Sequence, residues 1–244
     1  MASIPTVLPR NDPRQYDDLA DEWWDPRGIF AMLHWIVRAR ARLIPPAGRP
    51  GAVLVDLGCG AGLMAPYVAA KGYRHVGVDV TASALRQARQ QGVAAVRGDV
   101  TRLPLADGIA DVVSAGEILE HVTDLSAALA GACRLLRPGG LLVLDTIADT
   151  TLARLLAVEL AERIPHAAPA GIHDPALFVD RDRLVRECAV HGVVLQLRGI
   201  SPHALDVAHW LAGRRSYVRM VPVPTTAVLF QGRGTKDVAN RDVR

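Results

Sequence analysis

At 244 residues the chain suits one α/β domain with short additions, and 50% hydrophobic with 22% charged residues excludes a disordered polymer. A net charge of +3 with arginines dispersed along the chain argues against a nucleic-acid partner. Cys59, Cys133 and Cys188 lie far apart with no Cys-x-x-Cys spacing, so neither a disulfide framework nor a zinc ribbon is expected. A reducing, cytoplasmic setting follows, and no stretch approaches the roughly 20 apolar residues of a membrane span.

In chain order, Pro13 to Trp24 and Ile29 to Leu43 carry apolar residues at helical spacing, and the Pro45-Pro46 cluster stops the second helix. Ala52 to Asp56 reads as a buried strand, and Leu63 to Lys71 as a helix ended by Gly72. Strand His75 to Val80, a helix from Thr81 to Gln91 and strand Ala94 to Arg97 continue the alternation. Next come strand Asp111 to Ala115, a helix from Leu125 to Leu136 capped by Asp124, an Arg137-Pro138-Gly139-Gly140 turn and strand Leu141 to Thr146.

Helices over Thr151 to Arg163 and Asp180 to Val190, and strands over Val193 to Ile200 and Thr225 to Gln231, complete the reading. Such alternation predicts a parallel sheet covered on both faces. Residues 1–48 are expected to form a helical cap and 49–232 a Rossmann-like domain carrying a helical lid at about 150–178, with 233–244 a flexible tail.

Asp56-Leu57-Gly58-Cys59-Gly60-Ala61-Gly62 lies between the first strand and the first helix of the sheet, where glycines let a ligand approach main-chain N–H groups. About 20 residues on, the next strand ends at Asp79, whose carboxylate suits both hydroxyls of a ribose. The dinucleotide fingerprint is disfavoured, because the third glycine falls one residue early.

Val55 to Gly62 resembles motif I of the class I S-adenosylmethionine-dependent methyltransferases. Gly77-Val78-Asp79, Arg97-Gly98-Asp99-Val100 and Leu136 to Leu142 resemble their later motifs. The resemblance implies a Rossmann-like sheet of seven mostly parallel strands. It also implies a cofactor site in which the Gly58 to Gly62 main chain faces methionine, Asp79 the ribose and Asp99 or its neighbour the adenine edge. Asp56, Cys59, Val80, Gly98, Val100 and Gly116 complete the candidate set with Gly58, Gly60 and Gly62.

Three further segments, Tyr16 to His34, Glu117 to Val122 and Gly171 to Phe178, resemble the ubiquinone-biosynthesis O-methyltransferases, the UbiG group. This implies that Arg40, with Arg38 and Arg42 as alternatives in register, contacts the cofactor, and a guanidinium suits the methionine carboxylate. Glu117, Glu120 and His121 would converge if helical, and the likeness implies a magnesium ion there. An ion holding both oxygens of a catechol would acidify the phenol for attack on the sulfonium methyl. A structural or substrate-contacting role stays open for the three, and His173 is a second candidate base. Trp23 and Trp24 either close over an aromatic acceptor or anchor the N-terminal helix.

The last strand departs from the group's pattern, so the acceptor is not carried over. O-methylation of a phenolic or catechol-like hydroxyl of a small molecule leads. A metal-independent N- or C-methyltransferase and a non-catalytic binder of the cofactor or its demethylated product are the alternatives. The 150–178 segment is read as a lid, with peripheral membrane contact as the alternative, and a homodimer stays open.

Overall fold

In this computed structural model, which describes residues 8–160, 162, 169 and 171–238, the β-α alternation builds one eight-stranded sheet. Val53–Leu57 (β1), Arg74–Asp79 (β2), Ala94–Arg97 (β3), Ala110–Gly116 (β4) and Leu136–Ile147 (β5) run parallel in the order β3-β2-β1-β4-β5. Because β1 has β2 on one side and β4 on the other, a crevice opens at the carboxyl ends of β1 and β4. β4 is buried along its whole length, as expected of a strand covered on both faces.

Val193–Pro202 (β6), Met220–Val223 (β7) and Leu229–Lys236 (β8) extend the sheet antiparallel, with β8 between β5 and β6 and β7 at the edge. β7 is the strand beyond the expected seven. β8 also runs to Lys236, so residues 233–236 pair in the sheet where a tail was expected. The apolar pattern fades there because glycines alternate: a Cβ on Gly232 would meet the Leu144 side chain, and one on Gly234 the Val194 carbonyl at 2.7 Å. Close interstrand packing takes the place of side-chain alternation.

The helices are Arg14–Asp18 (α1), Ala31–Ala41 (α2), Ala65–Val68 (α3), Ala82–Gln90 (α4), Leu125–Leu135 (α5), Thr151–Arg154 (α6), Arg181–Val190 (α7) and Ala204–Leu211 (α8). Asp124 and Asp180 cap α5 and α7, accepting from Ala127 N at 2.9 Å and Arg183 N at 2.8 Å. Thr81 precedes α4 without a side-chain cap bond, and its own N–H instead donates to Asp79.

The expected first helix breaks after α1 into a tight turn at Ala20–Glu22. The expected helix at Thr151 to Arg163 is α for one turn and then a wider π-type turn over Leu155–Leu160. Its remainder, apart from Glu162, lies outside the described residues. No helix among the described residues is long and apolar enough to cross a membrane. All three cysteines are buried and free.

Leu129, Leu135, Leu142, Leu144 and Phe230 fill the centre between α5 and the sheet, each fully buried and worth about 1.5–3 kcal/mol in transfer free energy. The opposite end of β4 is pinned by charge. Asp111 accepts from Arg49 Nε at 2.9 Å and Nη2 at 2.8 Å, from Arg137 Nε at 2.6 Å and from Val53 N at 2.8 Å. Burial opposes ionisation of this carboxyl, but these donors outweigh it and hold it below its usual range. A carboxyl depressed in the fold stabilises above its unfolded pKa and loses that stabilisation as pH falls through the folded value. Asp111→Ala is therefore expected to cost about 2–3 kcal/mol in urea unfolding near neutral pH, with the gap to the native protein narrowing below about pH 4.

Candidate active site

The buried side of α2 carries Ala31, Trp35, Ile36 and Arg40, so a guanidinium sits in an otherwise apolar stripe. A buried charge needs a partner, and Arg40 Nη1 donates to Asp145 Oδ1 on β5. The guanidinium lies flat against the end of β4: a Cβ on Gly116 would fall 1.5 Å from Arg40 Nη1. Asp145 also receives Gln231 Nε2 from β8 at 3.5 Å. Arg40 Nε is left buried with no protein partner.

Two further carboxyls, those of Asp56 and Glu117, act on this cation. Asp56, one residue before the end of β1, lies beside His75, with 3.6 Å between Oδ2 and Nε2. Glu117, directly after Gly116, has φ of +49°, a left-handed backbone that a glutamate rarely adopts and that its neighbours must hold. Its N–H donates to Asp145 O at 2.9 Å, and its Oε1 is buried without a partner. Burial, with Glu120 and Asp145 adding repulsion, pushes Glu117 well above the usual carboxylate range. Glu120 and Asp145 are pushed up as well, chiefly by burial.

A cavity of about 790 Å³ passes this cluster. One end is walled by Gly58, Cys59, Gly60, Asp79, Val80 and Asp99, with Gly98 and Val100 beside them. Gly58 and Gly60 have φ of +65° and +50°, and Gly60 meets the Trp23 ring so closely that a Cβ would lie 2.7 Å from it. Asp79 Oδ2 accepts from Gly60 N at 2.9 Å and Oδ1 from Thr81 N at 2.8 Å, so the carboxylate is aimed by the loop it faces. Burial raises its pKa against these donors. Asp99 accepts from Thr101 N at 2.8 Å and Oγ1 at 2.7 Å, which hold it below its usual range.

The other end is apolar, walled by Met32, Leu33 and Ile36 of α2, by Ile200 and Val223 of the antiparallel strands and by Val228 in the loop before β8. Between the ends lie Glu117, His121 and His173. The two imidazoles stack at 5.6 Å between centroids, and burial with His173 alongside pulls His121 down to about 3. Glu162 holds the second ring, 3.4 Å from His173 Nδ1, and accepts from Gly171 N and His173 N. Tyr16, Trp23 and Phe30 form a stacked roof, and burial pushes the Tyr16 hydroxyl far above its usual range.

Residues 55–144 match the family described as "Methyltransferase domain". A ubiquinone biosynthesis O-methyltransferase of Cupriavidus pinatubonensis is 33% identical over 84% of this chain and 87% of its own length. One of Burkholderia thailandensis is 33% identical over 83% of this chain and 96% of its own. The chain belongs to the S-adenosylmethionine-dependent methyltransferases, in the family of the ubiquinone-biosynthesis O-methyltransferases. Among solved structures, a Thermotoga maritima protein described as a SAM-dependent methyltransferase and possible histamine N-methyltransferase superposes with a TM-score of 0.64. It is 19% identical, over 91% of this chain and 97% of its own, a likeness of fold.

Of the residues singled out in this methyltransferase sequence, Arg40, Asp56, Gly58, Cys59, Gly60 and Asp79 all reach the cavity. So do Val80, Gly98, Asp99, Val100 and Gly116, and with them Glu117, His121 and His173. Gly62 does not. It turns the loop at φ of +83° behind the wall, where a Cβ would come 3.1 Å from the Ala88 Cα of α4. Its role is close packing of the loop against that helix.

The expected metal triad is not assembled. The stretch is a single tight turn at Leu119–His121 and not an α-helix, and Glu120 is buried against β5, where its Oε2 accepts from Thr146 Oγ1 at 2.8 Å. Glu117 and His121 face the cavity without it, and no group of three or more His, Cys, Asp or Glu among the described residues could hold an ion. The donor set does not fit the magnesium site that was expected at these three residues.

Sequence reasoning missed Asn11, Tyr16 and Asp145. An acid inside Leu141 to Thr146, an apolar strand, demands a buried partner, and that was a usable signal for Asp145. Asn11 and Tyr16 reach the site only through the fold of the N-terminal segment. Gly116→Ala should force Arg40 off Asp145 and leave both charges buried. The expected loss is about 3 kcal/mol or more in chemical unfolding, whereas an unchanged midpoint would show that the pair does not hold this site.

Proposed function

We propose that this methyltransferase methylates a phenolic or catechol-like hydroxyl of a small aromatic molecule, with His121 as the proton acceptor. The observation that carries the reading is one continuous cavity whose cofactor end, neutral imidazole and apolar end follow in that order. Two or more rings fit such a volume. The relatives' printed name, ubiquinone biosynthesis O-methyltransferase, supports a hydroxyl as the methylated group.

The cofactor fits the residues present. The Gly58 and Gly60 main chain lines the cavity, with Ile118 and Trp23 packed where side chains would stand, Asp79 is turned to the loop, and the orphaned Arg40 Nε offers a donor for a carboxylate. Asp79 is assigned to the ribose hydroxyls, Val80 and Asp99 to the adenine side, and Arg40 with the Gly58 to Gly60 main chain to the methionine end. S-adenosylmethionine supplies a methyl group on a positively charged sulfur. Glu117, Asp56 and Asp145 surround that end with carboxyls, so a cationic ligand relieves their mutual repulsion.

At the acceptor end, the Tyr16, Trp23 and Phe30 rings exclude water and present flat apolar faces to an aromatic ring. His121 is deprotonated at neutral pH and accepts a hydrogen bond from the hydroxyl. A base of such low pKa takes the proton late. The oxygen gains acidity as its electron pair moves onto the methyl carbon, so the O–H bond breaks as the C–O bond forms. The carbon–sulfur pair returns to sulfur, and the proton ends on His121. Holding oxygen and carbon in line supplies much of the acceleration.

Two measurements test this. Asp79→Ala should weaken S-adenosylmethionine binding roughly 10- to 150-fold in calorimetry, the value of one or two hydrogen bonds to a charged group. With an ortho-dihydroxy aromatic acid as acceptor, formation of S-adenosylhomocysteine should persist in EDTA and fall about 100-fold or more in His121→Gln. Turnover abolished by EDTA and restored by magnesium would overturn the metal-free reading. Methyl found on nitrogen or carbon of an acceptor panel would overturn the hydroxyl assignment.

A further inference from the structure

His121 is reached from outside the sheet by Asn11, in the segment that leads into the aromatic roof. Asn11 adopts φ of +61°, a left-handed backbone that asparagine tolerates better than most side chains, and its N–H is tied to Gly171 O at 3.1 Å. That conformation turns the side chain onto His121. Asn11 Nδ2 donates to the His121 carbonyl at 2.9 Å, and Asn11 Oδ1 lies 2.6 Å from His121 Nδ1.

The two contacts fix each other. A carbonyl only accepts, so the amide must present its NH2 to His121 O and its oxygen to the ring. An amide oxygen also only accepts, so Nδ1 must carry the ring proton. The neutral imidazole then has its lone pair on Nε2, which has no partner among the described hydrogen bonds while the ring borders the cavity. Arg10, the preceding residue, reaches Glu162 at 3.1 Å and the His173 carbonyl at 2.7 Å. Asn11 thus holds the His121 ring directly, while Arg10 holds the His173 main chain and the Glu162 beside its ring.

We propose that Asn11 is a positioning residue for methyl transfer, holding His121 in the tautomer that presents a bare Nε2 to the acceptor hydroxyl. This rests on the reading of His121 as the proton acceptor. Without the amide, both tautomers of a buried neutral imidazole become accessible, and the one protonated on Nε2 turns a donor toward the hydroxyl. A ring in the wrong tautomer cannot take the proton, whatever its distance.

The test is the pair of imidazole nitrogen-15 shifts of His121 in the full chain with S-adenosylhomocysteine bound, read beside turnover. In the native protein, Nδ1 should show the shift of a protonated ring nitrogen and Nε2 that of a bare one. Asn11→Ala should draw the two shifts together and lower kcat about 10- to 100-fold, with S-adenosylhomocysteine affinity held within about twofold as the check on folding. Asn11→Asp keeps the acceptor for Nδ1 but not the donor for the His121 carbonyl. At about pH 8, where the ring stays neutral, it should restore the native shift pattern and most of kcat.

Equal loss in Ala and Asp would show that Asn11 only braces the main chain, overturning the proposal. A bare Nδ1 in the native protein would overturn it as well. Normal turnover in His121→Gln, with the native shift pattern intact in the parent, would instead overturn the proton-acceptor reading beneath it.

Discussion

An arginine buried in the apolar face of α2 and paired with Asp145 organises the middle of the cavity in this methyltransferase. Burying two ions costs several kcal/mol each unless their partners are well placed, and the neighbourhood is shaped accordingly. Gly116 is bare so that the guanidinium can lie on β4, and Glu117 turns left-handed immediately after it. Gln231 adds a contact from β8. The pair thus connects the N-terminal helical segment to both halves of the sheet, and the cavity wall inherits its position from that connection.

Charge is divided along the cavity. Carboxyls crowd around one guanidinium at the end of β4, and burial pushes Glu117 and Asp145 up. Beyond them, His121, which burial keeps neutral, stacks on His173 beneath the Tyr16, Trp23 and Phe30 roof. A sulfonium on one side and an aromatic hydroxyl on the other match that division. The N-terminal segment supplies the roof and, through Arg10 and Asn11, the hold on the His173 main chain and the His121 ring.

The sheet core and the glycine-loop wall of the cavity were legible in the sequence because both are local. Strand period, the glycine loop and an acid at the end of the next strand all fall within one β-α-β stretch. The middle of the cavity was less legible because it is built from distant segments. The spacing of Glu117, Glu120 and His121 suggested convergence only on the assumption of a helix. The left-handed backbone at Glu117 and the pull of Thr146 on Glu120 separate them. β8 was placed too early because Gly232 and Gly234 hide a strand that depends on close packing. The edge strand β7 and the helix α8 were missed, since packing in a divergent region decided them more than periodicity did.

A crystal structure of the protein with S-adenosylhomocysteine would test the account most directly. It should show the ribose hydroxyls on Asp79, the methionine end beside Gly58 to Gly60 and Arg40, and the sulfur facing the space in front of His121, with Arg40 still paired to Asp145. The ligand bound with its sulfur turned away from His121, or Arg40 swung clear of Asp145, would contradict it.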